Sequence, residues 1–393
     1  MADKELAIYV HVPFCWRKCR YCAFYSEPLN AGSARVPGYL RAIRRELAAL
    51  SWHLNRETPL KGVSLFLGGG TPTALRAPEL AALLASLQAG LSLSPLAERT
   101  AESNPGTLTA EKLAVLRDYG INRISLGVQS FQDALLRRIG RMHSSEQAEE
   151  AIRLIRASGV RNLNLDLMFG LPGQTRRDWE QTVERALAYE PEHLSLYGLM
   201  LEAGTSLGDE YLGKGTENTS DLPDDDEQAD MYQWAAERLR QAGYGRYETS
   251  NFALPGKECR HHLNYWRGKD YLGLGPGAVS CLDGQRWKNR ESVEEYIHGM
   301  GITGKSKAPA REESETLSRE QRMTERVMLG LRLAEGVDIR AFERDFGAAL
   351  SEVFAEALPG YISREILIIE DGFLRLAPAY AFVANAILRD FVL

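Results

Sequence analysis

The chain has 393 residues, 44% of them apolar and 25% charged, which excludes fibrous and wholly disordered classes. Lys+Arg 47 against Asp+Glu 53 leave a formal net charge of −6, which argues against nucleic-acid binding through a general basic surface. No run approaches the ~18 uninterrupted apolar residues of a membrane span, and the polar Met1–Glu5 start is unlike a signal peptide, so a cytoplasmic protein is expected. In chain order, strands are predicted at Leu6–His11, Val63–Leu67, Arg99–Glu102, Arg123–Val128, Asn162–Met168 and His193–Leu199. Helices are predicted between them at Pro37–Leu50, Pro78–Leu91, Thr109–Tyr119, Ser144–Ala157 and Arg176–Tyr189. Repeated strand–helix units imply parallel strands with crossover helices. Glu217–Asp230 is acidic and reads as a solvated loop entering a helix, and Lys305–Ser318 reads as a linker. Beyond it, helices are expected at Arg319–Leu333, Asp338–Phe346, Glu352–Leu358 and Tyr380–Phe391. A hairpin is expected at Glu365–Glu370 and Phe373–Leu376, turned by Asp371 and Gly372. The expected domains are a core at 1–240, a connecting region at 241–310 and a C-terminal unit at 311–393.

A parallel strand buried on both faces is almost wholly apolar. These strands alternate instead: Ile124, Leu126 and Val128 with Ser125, Gly127 and Gln129, and Leu163, Leu165 and Leu167 with Asn164, Asp166 and Met168. His193, Ser195 and Tyr197 alternate with Leu194 and Leu196 in the same way. Successive side chains face opposite sides of a strand, so one face meets helices and the other lines a polar lumen. The reading is a closed or nearly closed α/β barrel of TIM type, holding a polar ligand near the strands' C-terminal ends.

Cys15, Cys19 and Cys22 follow the first strand at once. Three thiolates on a short loop can hold three irons of a [4Fe–4S] cluster, which differs from the four-cysteine sets of closed electron-transfer clusters. A structural zinc is the alternative, but it wants four ligands, and His11 is the only nearby further donor.

The cysteine loop, with Tyr21 before its last cysteine, resembles the radical S-adenosylmethionine (SAM) superfamily. Tyr9–Cys15, Leu67–Thr73, Glu102–Gly106, Arg123–Phe131, Gly140–His143, Asp166–Thr175 and Leu194–Tyr197 resemble its HemN/HemW group. The family fold is a partial (β/α)6 barrel. The resemblance implies one cluster on Cys15, Cys19 and Cys22, its fourth iron open to the amino and carboxylate groups of SAM. It further implies SAM contacts from Tyr9, Tyr21, Gly69, Gly70, Thr71, Glu102, Gln129, Arg141 and Asp166. Gly69 and Gly70 lack Cβ and allow close backbone approach. Arg141 suits a carboxylate, and Glu102 and Asp166 suit hydroxyls or cations. An Arg141–Asp166 structural ion pair is the alternative.

Within this group, HemN-type members are oxygen-independent coproporphyrinogen dehydrogenases, and HemW-type members are regarded as haem chaperones. The enzymes carry a further cysteine two residues after the third, where Phe24 stands here, and a longer segment before the first strand. Cys259–Trp266 resembles the HemW histidine motif through His261, Tyr265 and Trp266, with His262 in place of the usual Asn. Imidazole suits haem iron, the two rings offer flat apolar area, and Cys259 is an alternative thiolate. Cys281 reads as a buried free thiol. Met328–Leu333 and Phe342–Gly347 resemble the family's small α+β C-terminal domain, which is of winged-helix type. The expectation is a haem chaperone, with a cluster, SAM and haem as cargo, that delivers to haem proteins including membrane-bound respiratory enzymes. The rivals are a coproporphyrinogen III dehydrogenase and a radical SAM enzyme on an unrelated substrate.

Overall fold

Alternation along six strands decides the architecture. The computed structural model describes residues 4–29, 35–54, 60–213, 221–301 and 311–393. Strands β1 (Lys4–Val12), β2 (Leu60–Gly69), β3 (Leu93–Ser103), β4 (Arg123–Gln129), β5 (Leu163–Phe169) and β6 (His193–Gly198) lie side by side in that order. Each neighbouring pair is parallel. The crossover helices are α1 (Arg35–Leu54), α2 (Ala77–Gly90), α3 (Ala110–Asp118), α4 (Ser145–Ala157) and α5 (Arg176–Leu187). Two of them start at capping boxes: Ser144 with Gln147, and Thr175 with Asp178.

Ile124, Leu126, Val128, Leu163, Leu165, Leu167, Leu194 and Leu196 are buried in one core with helix residues such as Leu80, Ile152, Ile155, Trp179 and Val183. Each such side chain contributes about 1.5–3 kcal/mol by leaving water. The opposite face carries the polar set: Ser125, Asn164, His193 and Ser195 are all buried.

The six-stranded arc does not close by strand pairing among the described residues. Past β6 runs an antiparallel strand, Asn251–Ala253. Past β1 runs Tyr271–Leu274, parallel to it, followed by Val279–Leu282, Gln285–Asn289 and Arg311–Thr316. These extensions cover both edges, which removes the need for closure. The described strands therefore form a partial (β/α)6 barrel.

The C-terminal unit has its own core of Met323, Val327, Phe342, Leu350, Leu374 and Phe391, among others. Its order is helix (Arg319–Gly330), strand (Val337–Asp338), helix (Ile339–Phe346), two short helices, then the hairpin Leu367–Glu370 and Phe373–Leu376. This is winged-helix order. Asp371 (φ 53°) and Gly372 (φ 83°) both sit left-handed, as a tight hairpin turn requires.

Three expectations are corrected, the first being the linker at Lys305–Ser318, whose described part runs as a strand over Arg311–Thr316 because it pairs with Gln285–Asn289. Glu352–Leu358 is split between short helices at Leu350–Val353 and Leu358–Ile362, because Pro359 cannot continue a helix and starts a new one. Tyr380–Phe391 breaks near Val383, where Phe382 leaves the helical line to pack on Tyr232 (5.5 Å between centroids) and Phe169 (5.9 Å). Residues 217–220 of the acidic segment and 305–310 of the linker lie outside the described residues.

Candidate functional site

The three cysteines sit at the C-terminal end of β1. Phe14–Cys15 pairs with Glu27–Pro28, and the Leu29 amide donates to Cys15 O (2.6 Å). The Arg20 amide donates to Ile139 O (3.1 Å), and the Leu207 amide to Arg20 O (2.8 Å). The loop is thus anchored on three sides while all three thiols stay half-buried and unoxidised. The glycine run docks against it: the Gly70 amide donates to Val12 O (2.8 Å) and the Thr71 amide to Phe14 O (2.7 Å). A Cβ on Gly70 would meet Phe14 O at 2.6 Å, and one on Gly69 (φ 102°) would meet the His11 ring at 2.5 Å. Only glycine fits either position.

A chain of polar contacts joins two of the cysteines. Cys15 Sγ lies 3.3 Å from Thr71 Oγ1, which accepts from Asn104 Nδ2 (2.8 Å). Asn104 Oδ1 accepts from Arg141 Nη2 (2.7 Å), and Arg141 Nη1 points at Cys19 Sγ (3.5 Å). Arg141 also donates to Gly127 O. Burial pushes the Cys15 and Cys22 thiols up, so a positive centre is needed to hold them as thiolates. Among the described residues, no three His, Cys, Asp or Glu side chains converge as they would on a single ion. Three thiols spread over a loop suit the corners of a cubane.

Below this ring lie the remaining residues assigned to SAM by resemblance. Glu102 accepts from the Gly69 amide (3.2 Å). Gln129 has φ 65°, a strained value for a non-glycine, and its buried Oε1 has no partner. Asp166 accepts from Ser125 Oγ (3.1 Å) and Asn164 Nδ2 (2.7 Å), so it spends its charge there and not on Arg141. Tyr9 Oη meets His11 Nδ1 (3.0 Å), and Tyr21 packs beside the Leu135, Met168 and Leu171 cluster. Glu102, Arg141 and Asp166 are walled by protein yet keep partial exposure, because the lumen is hollow. The orphaned Gln129 oxygen, the glycine cradle and the lumen-facing carboxylates of Glu102 and Asp166 fit a ligand carrying an amine, hydroxyls and a carboxylate.

Burial, then the nearby Asp166, push Glu102 up to about 8. A cationic ligand prefers the ionised carboxylate, so SAM affinity is expected to rise from about pH 6 to 9 and level off above. The gain is about tenfold between pH 7 and 9. Glu102→Gln should flatten that part of the profile, measured by isothermal titration under anaerobic conditions.

The histidine motif forms a short helix, α6 (Arg260–Trp266). Glu98 of β3 caps it, accepting from Cys259 Sγ (3.3 Å), the Arg260 amide (3.1 Å) and the His261 amide (3.3 Å). Through these contacts α6 sits across the lower, N-terminal end of the barrel. His261 Nδ1 lies 3.0 Å from Ser64 Oγ, and its ring sits 5.0 Å from Phe66 and 6.5 Å from Tyr9. His262 lies 5.5 Å from Phe66. Burial and the positive charge of Arg123 push both imidazoles down to about 3, so they are neutral donors at physiological pH. One turn on, Tyr265 has passed the edge of β1 and packs on Tyr271 (5.4 Å), while the Arg332 guanidinium covers Trp266 (5.5 Å). Cys281 is half-exposed and lines a groove there with Tyr265 and Phe346, which corrects the buried thiol expected.

Asn104, Ser125, Asn164 and Arg123 were missed as site residues. Their signal was the inward register, shared with Gln129, Asp166 and His193, together with the Glu102–Gly106 motif for Asn104.

Comparison with known proteins agrees with this layout. The radical SAM superfamily profile matches residues 9–186, and the HemN C-terminal domain profile matches 317–379. The chain is 33% identical to a haem chaperone HemW of Lactococcus lactis, over 100% of this chain and 99% of that one. It is 34% identical to the Bacillus subtilis haem chaperone HemW, over 98% of each. The Escherichia coli haem chaperone HemW is 39% identical over 71% of this chain and 72% of its own. The solved structure of coproporphyrinogen III oxidase (HemN) from Escherichia coli superposes with TM-score 0.84, at 23% identity, over 99% of this chain and 90% of that one, and so shares the fold. A six-stranded partial barrel with three cysteines at its mouth, matched end to end by these relatives, places this chain in the HemW family of the radical SAM superfamily.

Proposed function

We propose that this chain binds haem and transfers it to haem proteins in the cytoplasm and at the membrane, respiratory enzymes among them. The observation that carries the reading is the pair of neutral imidazoles, His261 and His262, that α6 brings to the floor of a hollow, aromatic-lined lumen. No described helix is long and apolar enough to cross a membrane. Superfamily membership implies an iron–sulfur cluster and SAM. In this reading Cys15, Cys19 and Cys22 hold one [4Fe–4S] cluster, and the Arg141 N–H near Cys19 Sγ offsets thiolate charge. Gly69, Gly70 and Thr71 cradle the methionyl end of SAM, Glu102 and Gln129 take its polar hydrogens, and Asp166 faces the ribose. When bound, cluster and SAM together supply a reducible sulfonium. Ser64 holds His261 through Nδ1, which leaves Nε2 for haem iron. Cys259 is the weaker candidate, because its thiol is spent on Glu98 and burial keeps it protonated.

Titration with haem tests this. His261→Ala or His262→Ala is expected to shift the Soret band and weaken binding about tenfold or more. Trp266→Ala should leave spectrum and affinity near wild type, because its ring packs under the Arg332 guanidinium and beside Tyr265, away from the two imidazoles. Wild-type spectrum and affinity in a combined His261→Ala, His262→Ala, Cys259→Ala variant would move haem elsewhere.

The related enzyme activity is not expected. Phe24, largely exposed, stands where the dehydrogenases carry their further cysteine. Reconstituted protein given coproporphyrinogen, SAM and reductant without oxygen should yield no protoporphyrinogen. Many turnovers per chain would instead make it a coproporphyrinogen III dehydrogenase.

A further inference from the structure

Arg123 opens β4 on its lumen side, two residues before Ser125 and four before Gly127. Its side chain is fully buried, and none of its three guanidinium nitrogens has a hydrogen-bond partner among the described residues. Several acceptors around it are already engaged. Glu98 serves the end of α6, and Tyr247 Oη lies 2.8 Å from His193 Nε2 and accepts from the Cys259 amide (3.3 Å). Asn164 Oδ1 accepts from His193 Nδ1 (2.6 Å), and Asp166 is held by Ser125 and Asn164. Thr100, in register with Arg123 on β3, is also fully buried, and its hydroxyl has no partner. A buried guanidinium with five N–H donors and nothing to receive them is costly, and a carboxylate is the group whose geometry matches it.

The rest of the lower lumen states what carries that carboxylate. His193, His261 and His262 each sense the Arg123 charge, so the guanidinium sits among three imidazoles. Phe66 and Tyr9, in register on neighbouring strands, supply one aromatic wall, their ring centroids 6.3 Å apart. Flat apolar surface, neutral nitrogen donors and one unpaired cation complement a planar macrocycle that bears a metal and carboxylate arms.

We propose that Arg123, assisted by Thr100, is the anchor for a propionate of haem in the lower lumen. This rests on the haem reading above and adds to it the cargo's polar contact and its place beneath SAM. The carboxylate of SAM is the competing source of the same chemistry, and the experiment separates the two.

The cluster-loaded protein is titrated with haem, with haem dimethyl ester, whose propionates are masked, and with SAM. Wild type is expected to bind haem roughly tenfold to a hundredfold more tightly than the ester. In Arg123→Met, which replaces an unpaired buried charge with apolar volume, that ratio should fall close to one, and SAM affinity should stay unchanged. Arg123→Lys should keep part of the preference. Equal binding of haem and ester by wild type overturns the proposal whether or not the variant folds. So does an undiminished preference in Arg123→Met, or a loss of SAM affinity there with the haem preference intact. Failure of wild type to bind either porphyrin overturns the haem reading itself, a result distinct from these.

Discussion

Cys19→Ala is expected to reduce cluster iron to background and abolish the broad visible absorption of the reconstituted protein. Cys15→Ala and Cys22→Ala should do the same. Each thiol sits on one loop whose backbone is tied to Pro13, Ile139 and Leu207, so no other sulfur can swing in. Cys259 is fully buried at the opposite end of the barrel, and Cys281 lies in the flanking sheet. Their Ala variants should therefore retain full iron. The loss should be larger than that from any change to a surrounding hydrogen bond, because a thiolate–iron bond has no substitute in Ala. Normal iron in Cys19→Ala, measured by anaerobic iron and sulfide assay, would falsify the ligand assignment.

Arg141→Met should cost SAM binding more than any other change outside the cysteines. The guanidinium ties Asn104 Oδ1, Gly127 O and Cys19 Sγ together, and its buried Nε has no partner in the structure. Removing it leaves a buried amide oxygen and a carbonyl unsatisfied and takes away the positive charge beside the thiolates. Losing a hydrogen bond to a charged group costs about 1.5–3 kcal/mol, which corresponds to a roughly tenfold to hundredfold loss of SAM affinity. Asn104→Ala should give a smaller loss in the same direction, since it opens the link to Thr71 but keeps the charge. Cluster content read in parallel separates the two roles. An Arg141→Met protein with intact cluster and unchanged SAM affinity would make Arg141 purely a loop strut.

The fold was legible because its determinants are local. Alternation along β4, β5 and β6 states which side chains meet helices, and Ser144, Thr175 and the Asp371–Gly372 turn mark boundaries through their own neighbours. The cysteine loop and the glycine run stood out for the same reason, as each is a contiguous motif. What remained hidden depends on groups far apart in the chain. Glu98 and α6 are brought together from about 160 residues apart. Nothing near His261 announces that Ser64 and Phe66 will receive its ring, or that Tyr265, one turn later, will lie past the edge of β1. The sequence of β4 shows that Arg123 faces the lumen. That its guanidinium finds no hydrogen-bond partner is a property of the assembled barrel and of no segment within it.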